Sequence, residues 1–195
     1  MNNTTDNNIS FDARILKELA KMASKDPNRM NITSVNIDTD PNGFARLWAT
    51  DGHCAALYLL GKVDFEVKTR SYDQEAIKKL GVRDTITYCK ETETLKDARG
   101  PLVLAAIQTR PDIDQVIPSD ETTVNPIGFL AIGSNLVSRC FSFLDKVTQN
   151  AGIKLIVPKD GLSPMIATSQ PANNGTRYQQ HGTGTASVVI MPIRL

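Results

Sequence analysis

The chain has 195 residues, 41% of them hydrophobic and 22% charged, and a formal net charge of +1. That is enough chain for a real buried core, and too even a charge for a polybasic nucleic-acid coat or an acidic tail, so any DNA contact must come from how charge is arranged. Three cysteines without a C-x-x-C pair, and only two histidines, argue against a structural zinc site and a disulfide-stapled secreted protein.

The opening residues, MNNTTDNNIS, carry no apolar signal core. No apolar run approaches the ~18 residues of a membrane span. The chain therefore reads as cytoplasmic, with the sequons at Asn3, Asn8, Asn31 and Asn174 as chance matches.

Residues 1–9 are small, polar and without hydrophobic period, which predicts disorder. From 11 to about 24 the pattern is helical: Phe11, Ile15, Leu19, Met22 and Ala23 fall on one side, with Ser10 as N-cap. Strands are predicted at 30–38, 44–50 and 54–60, the last two joined by the tight turn Asp51-Gly52-His53. Residues 64–70 alternate, with Phe65, Val67 and Thr69 on one face. A short helix over 73–80 ends on Gly81 as C-cap, and strands resume at 84–90 and 102–107, with a weak one at 94–98. Residues 110–125 are rich in Pro and Asp and read as a connector. The pattern then restarts with a strand at 127–131, a helix from 134 to 150, and strands at 153–157, 165–169 and 186–193. Residues 173–184, rich in Gly, Asn and Gln, read as a mobile loop. A helix followed by three strands thus recurs roughly three times, giving an α+β class with helices packed on antiparallel sheets.

The first helix carries Arg14, Lys17, Lys21 and Lys25 at spacings of three, four and four, one narrow stripe opposite the apolar face. The helix from 134 shows Arg139, Ser142, Lys146 and Gln149 on its polar side, and the short one adds Lys78 and Lys79. Taken alone, these are either ordinary solvated helix faces or a surface for phosphates. Aromatics are not interleaved with the basic residues, which argues against a base-stacking platform and suits phosphate contact without sequence readout.

Three segments are more specific. They are Ala49-Thr50-Asp51-Gly52-His53, the stretch Arg110-Pro111-Asp112-Ile113-Asp114-Gln115-Val116-Ile117-Pro118, and the final Val188-Val189-Ile190-Met191-Pro192-Ile193-Arg194-Leu195. In this order they resemble the bacterial DNA sliding clamp, the β subunit of DNA polymerase III, and the resemblance implies the DNA-clamp (processivity) fold. It divides the chain into a complete middle-type domain over 10–118, a linker over 119–125 and half of a last domain over 126–195, where a family subunit has three domains. It also implies that the helices face DNA phosphates, which assigns Arg14, Lys17, Lys21, Lys25, Lys78, Lys79, Arg139 and Lys146 to the DNA side. A hydrophobic peptide pocket between the two domains would be lined by Thr50, Gly52, His53, Pro111, Val116, Val189, Ile190, Met191, Pro192, Ile193 and Arg194. The family usually has Arg-Leu after the His, where this chain has Cys54-Ala55, and often an Arg where Gln115 stands. The pocket wall is therefore expected to be smaller and less charged.

Catalysis finds little support. Asp51 and His53 lie in one turn without a third group, Cys54 opens an apolar strand and reads as a buried structural thiol, and Gly182-Thr183-Gly184-Thr185 lacks the Lys and helix of a phosphate loop. No cofactor or metal is implied. The function implied is a non-enzymatic processivity factor on duplex DNA, homo-oligomeric, that tethers DNA polymerase, clamp loader or repair proteins. The alternative is a non-encircling clamp mimic that competes with a host clamp for those partners.

Overall fold

The structure, a computed structural model, describes residues 8–106, 109–115, 117, 133–148, 152–157, 164–170 and 185–191. Of the expected disordered stretch 1–9, residues 1–7 lie outside them, as do the linker, the strand at 127–131 and the loop at 173–184; Ile9 is not disordered but opens a strand.

The first half-unit is β1 (Ile9–Asp12), α1 (Ala13–Met22), β2 (Ser34–Thr39), β3 (Phe44–Thr50) and β4 (Cys54–Lys62). The second repeats it as β5 (Arg70–Asp73), α2 (Gln74–Lys78), β6 (Thr85–Cys89), β7 (Thr94–Asp97) and β8 (Gly100–Pro101). The third is α3 (Ser134–Thr148), β9 (Gly152–Ile156), β10 (Met165–Gln170) and β11 (Ala186–Ile190). All strand pairs are antiparallel. They form a four-stranded sheet, β1-β6-β7-β8, and a seven-stranded sheet, β5-β2-β3-β4-β11-β10-β9.

The larger sheet spans the recurrence because β11 pairs along β4, with Ala55 opposite Val189 and Cys54 opposite Ile190. Its helix-side face is the main core, built on Leu16, Leu19, Ile37, Leu47, Tyr72, Phe143 and Leu144. The apolar stripe of α1 packs there as its 3.6-residue period requires. Each fully buried Leu or Phe contributes roughly 1.5–3 kcal/mol. The opposite face carries a smaller cluster of Trp48, Ala55, Leu57, Ile113, Ile166 and Val189.

Several local expectations are corrected. Ser10 and Phe11 belong to strand β1, paired with Thr87 and Ile86. The helix starts two residues later, capped by Asp12, whose carboxylate accepts the Arg14 N–H at 2.7 Å. Residues 64–69 form no strand. Val67 is buried and Phe65 stacks on Tyr88, but their amide donors go to side chains: Val67 N–H to Thr39 Oγ1 and Lys68 N–H to the Tyr88 hydroxyl. The second helix is a single short turn capped by Asp73. Gly81 is not left-handed, and its N–H is taken by the Asp84 carboxylate at 2.7 Å. The strand expected at 102–107 is reduced to a bridge of Leu104 with Tyr72. No described helix is long and apolar enough to cross a membrane.

Candidate functional site

The Asp51-Gly52-His53 turn explains its own residue types. Gly52 has φ 86°, a left-handed backbone that favours glycine. Thr50 Oγ1 donates to the Cys54 carbonyl at 2.6 Å and accepts the Gly52 N–H at 3.0 Å. Asp51 Oδ1 accepts the N–H groups of His53 and Cys54, both at 2.9 Å. Threonine and aspartate thus satisfy a turn too tight to satisfy itself.

Two arginines clamp this turn. Arg29 donates to the Asp51 carbonyl at 3.0 Å, and its guanidinium lies so close over Gly52 that a Cβ there would collide with it. Arg139 of α3 donates to the Asp51 carboxylate and, at 3.1 Å, to Cys54 Sγ. Burial works to raise the Asp51 pKa, but Arg139 and the two backbone amides hold it below the ordinary aspartate value. Contact with the Cys140 thiol and burial push the Cys54 thiol well above its usual range. Cys54 therefore stays protonated, as a structural thiol does.

The second wall is the segment 110–115. Asp114 receives two hydrogen bonds from Arg46, at 2.6 and 2.9 Å, while Arg46 also donates to Asp38 at 2.6 Å. Burial pulls the Arg46 pKa down, but the hydrogen bonds to Asp114 and Asp38 more than reverse this. Arg110 donates to Ser71 Oγ at 2.5 Å. Between these anchors Ile113 enters the outer apolar cluster against Trp48 and Val189. The third wall is the end of β11, where the Met191 N–H donates to the His53 carbonyl at 3.0 Å.

The three walls enclose a cavity of about 220 Å³. Of the expected lining, Thr50, Gly52, Pro111, Val189 and Met191 are there. Ile190 alternates away from it into the main core. His53 does not line it: its backbone carbonyl tethers Met191 and the residue is exposed. Val116, Pro192, Ile193 and Arg194 lie outside the described residues. Cys54 and Ala55 stand in the wall as expected, and the sequence reading missed Arg29, Asn31, Ile32, Asp112 and Ile113. Arg29 returns to the wall the positive charge that Cys54-Ala55 was expected to remove. The only available signal was the motif itself, because a turn this tight leaves a carbonyl such as that of Asp51 to be met by a donor from a neighbouring loop.

The basic residues divide. Arg14, Lys17 and Lys21 lie along the uncovered side of α1, and Lys25 follows it, exposed. Lys78 and Lys79 are exposed at the end of α2. Arg14, Lys17, Lys21 and Lys146 line a groove of about 360 Å³ that also contains Glu18 and Asp145. Many of these charges already have partners. Lys17 donates to the carbonyls of Lys78 and Leu80, Lys21 and Lys146 pair with Glu18 at 2.6 and 3.7 Å, and Lys78 pairs with Glu75 at 2.5 Å. Arg139 turns away from the basic face to the Asp51 turn.

Helix-plus-strands units whose antiparallel sheet runs on from one unit into the next, with the helices on one side, define the DNA-clamp fold. Among solved structures the chain is similar to the Helicobacter pylori β clamp bound to a DNA ligase peptide, with TM-score 0.61, 10% identity, 96% of this chain and 66% of that one covered. It is similar to the Bacillus subtilis DNA polymerase sliding clamp, with TM-score 0.61, 14% identity and coverages of 96% and 64%. The β subunit of Pseudomonas aeruginosa DNA polymerase III gives 0.59, 14%, 96% and 66%. The chain therefore has the fold of the bacterial sliding clamps, and it spans just under two thirds of the length of those subunits. No protein-family model matches the sequence, and no curated protein matches it.

Proposed function

We propose that the chain is a sliding-clamp-like processivity factor. It tethers DNA polymerase, clamp-loader or repair proteins through the cavity at the β4–β11 junction, and its helices face the phosphates of duplex DNA without reading sequence. On this reading 10–118 is a complete clamp-type domain, 119–125 a linker and 126–195 a half domain. No residue is assigned a catalytic role: the Asp51 carboxylate is committed to Arg139 and to backbone amides.

The observation that carries the reading is the cavity itself. Aliphatic walls from Ile32, Ala55, Ile113 and Val189, a Met191 lip and the guanidinium of Arg29 suit a short extended peptide with aliphatic or aromatic anchors and an oriented polar group. A clamp of the same fold is solved with a DNA ligase peptide.

The test is fluorescence anisotropy with a labelled hydrophobic clamp-binding peptide. Saturable binding that weakens at least tenfold in Val189→Glu, about 1.4 kcal/mol, supports the pocket. Equal binding by both proteins, or none by either, rejects it.

A second reading has its own support. Because Lys17, Lys21, Lys78, Arg139 and Lys146 are engaged within the protein, a non-encircling mimic that competes for clamp-binding partners uses the pocket and needs no DNA. Retention on circular but not linear duplex DNA selects the clamp; loss from both, with peptide binding intact, selects the mimic.

A further inference from the structure

We infer that Cys54 and Cys140 are a dithiol that a hydroperoxide oxidises to a disulfide, and that this disulfide fastens α3 to the wall of the cavity. Cys54 opens β4 and Cys140 lies midway along α3, which packs on β4. Both side chains are buried, in the same core cluster, and their thiols are in hydrogen-bonding contact. The third cysteine, Cys89, stands on β6 in the four-stranded sheet.

A buried cysteine that only packs needs nothing but apolar neighbours, and this pair has polar ones. The Arg139 guanidinium donates to Cys54 Sγ at 3.1 Å, and the Cys54 thiol donates towards Asp51 Oδ1 at 3.6 Å. Cys54 also belongs to the cavity wall, so a molecule little larger than water meets its sulfur from the cavity, with Cys140 directly behind it. The hydrogen bond from Cys54 holds the Cys140 thiol below its usual range against the effect of burial, and the charge of Arg139 acts in the same direction. A proton leaving Cys54 therefore has a sulfur beside it to accept it. One thiol at an opening and a second in contact behind it are the two parts an oxidant-sensitive pair requires.

The chemistry runs in two steps. Cys54 Sγ attacks one oxygen of the hydroperoxide and the O–O bond breaks. The departing oxygen takes up the Cys54 proton, relayed through Cys140, and Cys54 becomes a sulfenic acid. Cys140 Sγ then attacks the Cys54 sulfur, the S–S bond forms, the S–O bond breaks, and hydroxide leaves with the Cys140 proton as water. Two thiols lose two electrons and two protons, and with hydrogen peroxide both products are water. The new bond adds a covalent tie to the Arg139–Asp51 ion pair, so α3 can no longer lift from β4 without unfolding the strand. It forms whether or not the cavity takes a peptide.

The test treats the full, reduced chain with a small excess of hydrogen peroxide, caps remaining thiols with N-ethylmaleimide and maps the disulfides by mass spectrometry of a non-reducing digest. The expected product is a Cys54–Cys140 link within one chain, lighter by two hydrogen atoms, with Cys89 still capped and the link reversed by dithiothreitol. It should form at least about tenfold faster in the folded chain than in urea, because folding holds the two sulfurs together. Hydrogen exchange of the α3 amides should slow by at least about tenfold in the oxidised chain. Cys89→Ser should link as the unaltered chain does, and Cys140→Ser should leave a sulfenic acid on Cys54 that dimedone captures. Absence of the link overturns the inference, as does a link that includes Cys89 or forms as fast in urea. A link that leaves α3 exchange unchanged overturns the fastening of α3. These readouts use the unaltered chain, so a variant that fails to fold does not obscure them.

Discussion

At Gly52 two constraints coincide. The backbone is left-handed, which costs other residues roughly 1–2 kcal/mol, and the Arg29 guanidinium occupies the space a side chain would need. Gly52→Ala is expected to lose about that much stability, lowering the melting temperature by roughly 2–8 °C, and to weaken peptide binding by displacing Arg29. A thermal melt and an anisotropy titration check both. Asp51 adds a pH dependence. Its folded pKa lies below the ordinary value of 3.8, so its contribution is fully present above that value and is lost as pH falls through the depressed folded pKa. Urea melts of the unaltered chain and Asp51→Asn should differ most near neutral pH and converge in strong acid. A difference that stays constant with pH would remove the Arg139 ion pair as its cause.

Elements position the site through a few buried anchors. Arg46, with a side chain only 3% exposed, holds β3 to the 110–115 segment through Asp114 and to β2 through Asp38. Breaking a buried pair strands its partners, so Arg46→Met should cost on the order of 3 kcal/mol and release the Pro111–Ile113 wall. Increased proteolytic nicking at 110–115, together with a lower urea midpoint, is the expected sign. The elements were unequally legible. The long helices follow from periodicity, because their faces are set by burial, and β3 and β4 from their apolar, β-prone runs, because both faces of each are buried. Residues 64–69 alternate without being a strand, because Val67 is buried while its N–H bonds to a Thr39 hydroxyl and no ladder forms. β1 is divided in the sequence reading between a disordered tail, a cap and the start of the helix, because four residues are too few to show a period of two. Angular position placed Arg139 on the basic face, but position on a helix does not reveal that Asp51 lies within reach across the junction. Arg29 sits in a loop and reaches the pocket only through tertiary packing.

For the whole molecule, the balanced net charge means that the proposed duplex binding would rest on basic side chains of the helix layer that are exposed. Lys25 and Lys79 are exposed, so Lys25→Ala and Lys79→Ala should each weaken duplex binding equally for any sequence. Each should also flatten the slope of log affinity against log salt by about 0.9 per lost phosphate contact. Sequence-dependent losses would point to base reading, and no change in slope would place DNA elsewhere on the molecule.

The pairing of Cys54 with Ile190 joins residues 136 positions apart. Closing so long a loop is slow, because its entropy is lost before any contact compensates. The first unit can form from local contacts, but the cavity has no third wall until β11 docks. The pocket is therefore a late product of folding, and the peptide binding proposed for it would select only chains that have completed it. At a hundred times its dissociation constant such a peptide adds about 2.7 kcal/mol to the docked state. It should slow the undocking of β11 while leaving the collapse of the first unit at its own rate, so that ligand binding reports the last step of maturation.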